Sequence, residues 1–91
     1  MKYAVTQTSQ YKRDLKRAVR RGCEVSLIKA VVMQLADGVP LSARHRNHAL
    51  AGRFAGFREC YITHDWLLVY LIENNKMVLT LTRTESHSDL F

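Results

Sequence analysis

One stretch decides the fold of this 91-residue chain: Trp66-Leu67-Leu68-Val69-Tyr70-Leu71-Ile72-Glu73-Asn74-Asn75-Lys76-Met77-Val78-Leu79-Thr80-Leu81-Thr82-Arg83-Thr84. Residues 66–73 and 76–84 are rich in aliphatic, β-branched and aromatic side chains, which is typical of strands. Asparagine tolerates positive φ, so Asn74-Asn75 predicts a tight turn between the two runs. The stretch therefore predicts a β-hairpin.

The neighbouring segments extend this hairpin into a sheet. Residues 53–62 predict a strand that reaches the hairpin through a turn at residues 63–65, and residues 1–6 predict another short strand. Residues 39–52, which contain the only proline, predict a long loop. Long loops inside compact domains are often functional.

Two amphipathic helices are predicted ahead of the loop. Residues 11–22 and 24–36 repeat apolar side chains at one-face helical spacing, and Gly22 and Gly38 are the predicted stops. The order of elements predicts an α+β fold, with two N-terminal helices packed on a small antiparallel β-sheet. The length fits a single domain over residues 1–91.

The charge of the chain favours a polyanionic partner. Fourteen Lys and Arg against eight Asp and Glu give a net charge of +6. Six of the cations fall on the polar face of the first helix, with Asp14 as the only acid there: Lys12, Arg13, Lys16, Arg17, Arg20 and Arg21. This face predicts contact with RNA or an acidic partner, although a merely solvated face has the same pattern.

Other function classes lack their sequence signals. No apolar run is long enough for a membrane span, and the first residues do not resemble a signal peptide, so we expect a cytoplasmic protein. Cys23 and Cys60 form no metal or disulfide motif. His45 and His48 are three residues apart, but the flanking Arg44 and Arg46 oppose a cation. We therefore predict neither a metal nor another cofactor.

The residues that suit chemistry lie at four places. They are His48 in the loop, His64-Asp65-Trp66 at a strand entry, Arg83 at a predicted strand end, and His87 with Phe91 in the tail. The hairpin brings residues 65–66 and 83 to one edge of the sheet, and the loop can lay His48 beside them.

This set suits metal-free RNA cleavage, in which the 2′-hydroxyl attacks the adjacent phosphorus. Histidine and carboxylate serve as acid and base, arginine binds phosphate, and aromatic rings stack on unpaired bases. Each residue also fits a plainer role. Asp65 fits a turn, Trp66 fits core packing, Arg83 fits an ion pair with Glu73 or Glu85, and His48 fits simple exposure.

The chain resembles bacterial toxins of the RelE/ParE superfamily, nearest the YafQ branch. The matching segments are Tyr11-Lys12-Arg13-Asp14-Leu15-Lys16, His48-Ala49-Leu50-Ala51-Gly52, Gly56-Phe57-Arg58-Glu59, Asp65-Trp66-Leu67-Leu68-Val69-Tyr70 and Arg83-Thr84-Glu85-Ser86-His87-Ser88-Asp89-Leu90-Phe91. The resemblance implies a ribosome-dependent endoribonuclease that cuts mRNA in the decoding site, contacts 16S rRNA and is blocked by a cognate antitoxin. It also implies that the toxin–antitoxin complex binds operator DNA.

The resemblance also implies roles for single residues. His48, Asp65 and His87 match acid/base positions, with His87 expected as the acid and Asp65 with His48 on the base side. Substrate-binding positions are Tyr61, His64, Trp66, Arg83 and Phe91, and Arg58 joins the six helix cations as an RNA or ribosome contact.

Two positions depart from the pattern. Tyr61 stands where relatives often have histidine, and His64 where they often have proline. A tyrosine phenol, with an ordinary pKa of about 10, is a poor base at pH 7, so hydrogen bonding or stacking is expected of Tyr61.

Two other classes of function remain open at this stage. A ParE-like inhibitor of DNA gyrase would act by binding alone, and a plain nucleic-acid-binding module would use only the basic helix. DNA-damage signalling without mRNA cleavage distinguishes the first alternative. Steep salt dependence without cleavage distinguishes the second.

Overall fold

The protein folds as two helices packed on one sheet in a computed structural model that describes residues 1–86. The elements in chain order are β1 (Ala4–Gln7), α1 (Ser9–Arg20), α2 (Val25–Asp37), β2 (His48–Ala49), β3 (Arg58–Thr63), β4 (Trp66–Glu73) and β5 (Val78–Ser86). The strand order in the sheet is β1-β5-β4-β3-β2. This architecture confirms the predicted α+β fold. Over the described range, no helix is both long enough and apolar enough to cross a membrane.

The helix boundaries follow from local signals in the sequence. The hydroxyl of Thr8 accepts from the Tyr11 backbone N–H at 2.9 Å and donates to the Thr82 carbonyl at 2.7 Å. It therefore caps α1 and ties its start to β5. Gly38 ends α2 with φ of 74°, and Gly22 follows α1 with φ of 92°. Both predicted stops are confirmed, because glycine enters the left-handed region without a steric cost.

The sheet is mixed, which corrects the prediction of a fully antiparallel one. β3, β4 and β5 form the predicted antiparallel meander, but β1 pairs in parallel with β5, with Ala4 opposite Val78 and Gln7 opposite Leu81. The partners are more than seventy positions apart in the sequence, so no local pattern reports their relative direction.

Two boundaries around the predicted loop are also corrected. The loop contains a 3-10 helix, Ala43–His45, and the two-residue strand β2, which pairs antiparallel with β3. β3 begins at Arg58 rather than at residue 53, since Gly52–Phe54 form a 3-10 helix and Gly56 has φ of 94°. Positive φ at Gly56 is incompatible with a continuous extended strand.

The hairpin turn is longer than the two asparagines suggest. Glu73 pairs with Val78, the Lys76 N–H donates to the Glu73 carbonyl at 3.2 Å, and Met77 has φ of 53°. The loop is therefore four residues long, and Met77 rather than Asn74 or Asn75 adopts the left-handed conformation. β5 then continues to Ser86, so Arg83 lies inside the strand and not at its end.

The core lies between the helices and one face of the sheet. α1 and α2 contribute Tyr11, Ala18, Ile28 and Leu35, which belong to the same buried cluster as Leu68, Tyr70, Leu79 and Leu81 from β4 and β5. Side chains alternate along a strand, so the residues between these point to the other face of the sheet. That other face, called the open face below, carries the candidate site residues His48, Tyr61 and Arg83.

Candidate active site

Four strands place their side chains in one row on the open face. His48 lies opposite Glu59, Glu59 opposite Val69, and Val69 opposite Arg83. Neighbouring strands are about 4.8 Å apart, so the backbones of His48 and Arg83 are roughly 14 Å apart. The structure thus brings two sequence-predicted site residues onto one surface, with Glu59 and Val69 between them.

His48 is oriented from both sides of its ring. Its Nδ1 lies 2.6 Å from the Arg46 carbonyl oxygen and its Nε2 lies 3.4 Å from a Glu59 carboxylate oxygen. The carbonyl can only accept, so Nδ1 is the donor in this contact and Nε2 is the nitrogen on the side of Glu59. Its imidazole is 47% exposed.

Arg83 is held by two carboxylates. Its Nε donates to Asp14 Oδ2 at 3.2 Å and its Nη2 lies 3.0 Å from Glu85 Oε1. Asp14 is almost fully buried, and it also accepts from the Thr84 N–H at 3.2 Å and from Gln10 Nε2 at 2.8 Å. A phosphate at Arg83 therefore competes with an ion pair already formed, and Asp14 does not neutralise the exposed face of α1.

Asp65 and the two departing residues lie towards the β3–β4 turn. Asp65 is half-buried and accepts a hydrogen bond from the Thr63 hydroxyl at 3.0 Å. Tyr61 lies opposite Leu67 in the row next to that of His48, while His64 is exposed. Asp65 therefore lies in the turn between β3 and β4, two residues before Leu67.

Trp66 lies in the core, and not on the substrate face. The residue is only 2% exposed, and its Nε1 has no hydrogen-bond partner within residues 1–86. A ring without an exposed face cannot stack on a base, so the structure contradicts the stacking role and supports the packing alternative.

Arg58 is half-buried and engaged with polar neighbours. Its Nε donates to Asn47 Oδ1 at 3.2 Å, and the Tyr70 hydroxyl donates to the same oxygen at 2.6 Å. Burial raises the pKa of Tyr70, and the hydrogen bond from Arg58 opposes that rise. Arg58 thus anchors the segment that leads into β2.

The basic face of α1 is exposed, as the sequence predicts, and it carries fewer negative charges than predicted. The six cations predicted as RNA or ribosome contacts are all exposed: Lys12, Arg13, Lys16, Arg17, Arg20 and Arg21. Since Asp14 is turned inward to Arg83, no acidic side chain of α1 remains on that surface.

Sequence reasoning missed three residues that shape this region. Glu59 faces His48, Asp14 fixes Arg83, and the buried His45 places Nδ1 at 2.7 Å from the Tyr61 carbonyl. The pairing of β2 with β3 would have identified Glu59, but a two-residue strand has no periodic signal. Nothing in the sequence indicates the long-range contacts of Asp14 or His45.

Two further predictions concern the last residues and metal binding. His87 and Phe91 lie outside the described residues, so their roles stay predictions. Within residues 1–86, no group of three or more His, Cys, Asp or Glu side chains is arranged to hold a metal ion.

Comparisons with known proteins agree on one family. The sequence model of a family described as bacterial toxin of type II toxin-antitoxin system, YafQ, matches residues 3–91. The mRNA interferase toxin YafQ of Escherichia coli (strain K12) is 30% identical over 88 residues, which cover 96% of this chain and 94% of that protein.

Solved structures of the same kind superimpose over almost the whole chain. A metal-bound toxin from Helicobacter pylori has a TM-score of 0.88 at 37% identity, covering 98% of this chain and 99% of that one. YafQ in the Escherichia coli DinJ–YafQ complex has a TM-score of 0.85 at 27% identity, covering 98% of both chains.

Proposed function

Because this chain belongs to the YafQ family of toxins from bacterial type II toxin–antitoxin systems, we propose that it is a ribosome-dependent endoribonuclease that cuts mRNA. The observation that carries the proposal is the half-exposed ring of His48, which the Arg46 carbonyl and Glu59 orient in one row with Arg83. A protein that acted on gyrase by binding alone would not need an oriented proton-transfer group.

The proposed reaction is attack of an RNA 2′-hydroxyl on the adjacent phosphorus. Asp65 and His48 serve on the base side and take the hydroxyl proton, and His87 protonates the leaving 5′ oxygen. Arg83 stabilises the charged phosphorane, while Tyr61, His64 and Phe91 position the nucleotides. The bond between phosphorus and the 5′ oxygen breaks as the bond to the 2′ oxygen forms.

The proposed partners follow the same argument. The one-signed exposed face of α1 supports contact with 16S rRNA, whose phosphates attract lysine and arginine without regard to sequence. A cognate antitoxin is proposed by analogy with the DinJ–YafQ complex, and the resulting complex is proposed to bind operator DNA. Ribosomes as the substrate carrier place the action in the cytoplasm.

The test maps mRNA 5′ ends after a brief pulse of expression. We expect new ends at in-frame positions of translated messages for the wild type, and none for His87→Ala. Asp65→Asn keeps an oxygen that accepts from Thr63 but loses the charge, and we expect it to lower cleavage by about 10²- to 10⁴-fold.

The matched control is Asp37→Asn, because Asp37 is an exposed residue of α2, outside the candidate site, and should leave cleavage intact. Growth arrest without new 5′ ends would refute the nuclease and favour gyrase inhibition.

A further inference from the structure

A cavity of about 610 Å³ lies where β3 reaches the β3–β4 turn. Its polar lining comes from Arg44 and Arg46 of the segment before β2, together with Tyr61, Thr63 and His64. Leu27 of α2 and Ile62 supply its apolar part. The cavity falls within the size range of small-molecule and nucleotide sites.

The charge of this cavity suits an anion. None of its lining residues is acidic, and within residues 1–86 no carboxylate lies at ion-pair distance from Arg44 or Arg46. Arg83, by contrast, already contacts two carboxylates. Among residues 1–86, an incoming phosphate therefore displaces no carboxylate when it binds Arg44 and Arg46.

The two arginines sit on a segment held in place by specific bonds. Between them, the buried His45 contacts the Tyr61 carbonyl through Nδ1 at 2.7 Å, which fixes the segment against β3. Arg46 adopts φ of 46°, a conformation that costs a non-glycine residue about 1 kcal/mol or more, and its carbonyl accepts from His48. The same peptide thus carries a cavity arginine and orients the proposed base.

The cavity lies farther along the strand that carries Glu59, the partner of His48. Tyr61 follows Glu59, the partner of His48, by two residues on the same strand, which is about 7 Å along the open face. When the 2′-hydroxyl of an RNA strand reaches His48, the neighbouring nucleotide is therefore close enough to reach the cavity lining.

We propose that this cavity binds the nucleotide next to the scissile bond of single-stranded RNA, with Arg44 and Arg46 on its phosphate and Tyr61 against its base. The inference rests on the proposed nuclease function and adds a second phosphate site to it. The aromatic ring and the apolar lining favour a nucleotide over an acidic peptide, because a base needs a stacking surface and a carboxylate does not.

The experiment measures cleavage of a message on purified ribosomes at a codon that the wild type cuts. The variant is Arg44→Gln/Arg46→Asn, in which asparagine preserves the left-handed backbone at residue 46. The matched control is Arg53→Gln, an exposed arginine in the loop at the other end of β3. Circular dichroism tests whether each variant is folded. If the double variant is not folded, the single variants Arg44→Lys and Arg46→Lys, which keep the positive charge but lose the guanidinium, take its place.

We expect KM to rise about tenfold in the double variant with a smaller change in kcat, since charge-assisted hydrogen bonds of this strength are lost. Replacing the phosphate next to the scissile phosphate by one neutral methylphosphonate should raise the KM of the wild type about tenfold as well. The same replacement should raise the KM of the double variant little further. Such coupling identifies the phosphate that the arginines bind.

The other outcomes overturn one statement each. If the double variant has the same KM as the Arg53→Gln control, and the methylphosphonate changes the KM of these two variants equally, the cavity does not bind RNA. If cleavage is normal but a co-expressed antitoxin no longer neutralises the double variant, the cavity binds an acidic peptide instead. If the wild type itself cuts no message, the proposed function fails independently of the cavity.

Discussion

Replacing Asp14 by alanine tests whether the buried carboxylate of α1 organises the Arg83 region. Its side chain is 1% exposed and accepts from three donors, namely Gln10 Nε2, Arg83 Nε and the Thr84 N–H. The Thr84 N–H lies beyond the part of β5 that pairs with β1, so β1 offers it no acceptor. Asp14→Ala leaves this buried N–H without a partner and leaves Arg83 with Glu85 alone.

The expected loss of stability is about 3 kcal/mol. A buried donor left unpaired costs about 1–3 kcal/mol, and removing one partner of a buried ion pair costs about 3–5 kcal/mol. The Arg83 side chain is 38% exposed and can regain water, which places the estimate at the lower end. With a urea m value of about 1.2 kcal/mol per molar, 3 kcal/mol lowers the unfolding midpoint by roughly 2.5 M.

The assay is equilibrium unfolding in urea followed by circular dichroism, with Asp37→Ala as the matched control. Asp37 is 48% exposed at the end of α2, and its ion pair to the N-terminus is 4.0 Å long, so its loss should cost less than about 1 kcal/mol. A midpoint for Asp14→Ala that equals that of Asp37→Ala would refute the reasoning. If the prediction holds, reduced activity of Arg83 variants must be separated from instability before it is assigned to phosphate binding.

Three further predictions follow from other parts of the fold. Met77→Gly should raise the free energy of unfolding by about 1 kcal/mol, because Met77 has φ of 53°; an unchanged thermal midpoint would contradict this. Burial raises the pKa of Tyr11 from 10.0 and that of Cys60 from 9.0, each to about 12. The stability from these neutral groups is therefore complete below about pH 9 and lost between pH 9 and 12, which urea unfolding at pH 8, 10 and 11 should show; constant stability would refute it. Trp66 fluorescence should be blue-shifted and resist acrylamide, and quenching at the rate of free tryptophan would instead support an exposed stacking ring.

Part of the candidate site could be predicted from the sequence alone. Residue types and segment matches predicted His48, Asp65 and Arg83 as site residues, and the structure places His48 and Arg83 in one row and Asp65 at the turn after β3. The same matches assigned Trp66 to the substrate, because a sequence does not show which face of a strand meets the helices. One residue of shift in register reverses that face.

What the sequence alone determined is what depends on neighbours along the chain. The two helices, their glycine stops and the hairpin strands β4 and β5 are encoded by side-chain periodicity and local backbone preference, so they were predicted close to their observed bounds. Only the tertiary structure decided the parallel pairing of β1 with β5, the strand at His48 and the inward turn of Asp14 to Arg83. These depend on contacts between distant segments, whose energies arise from burial and hydrogen bonding after the chain has folded, and no local pattern records them.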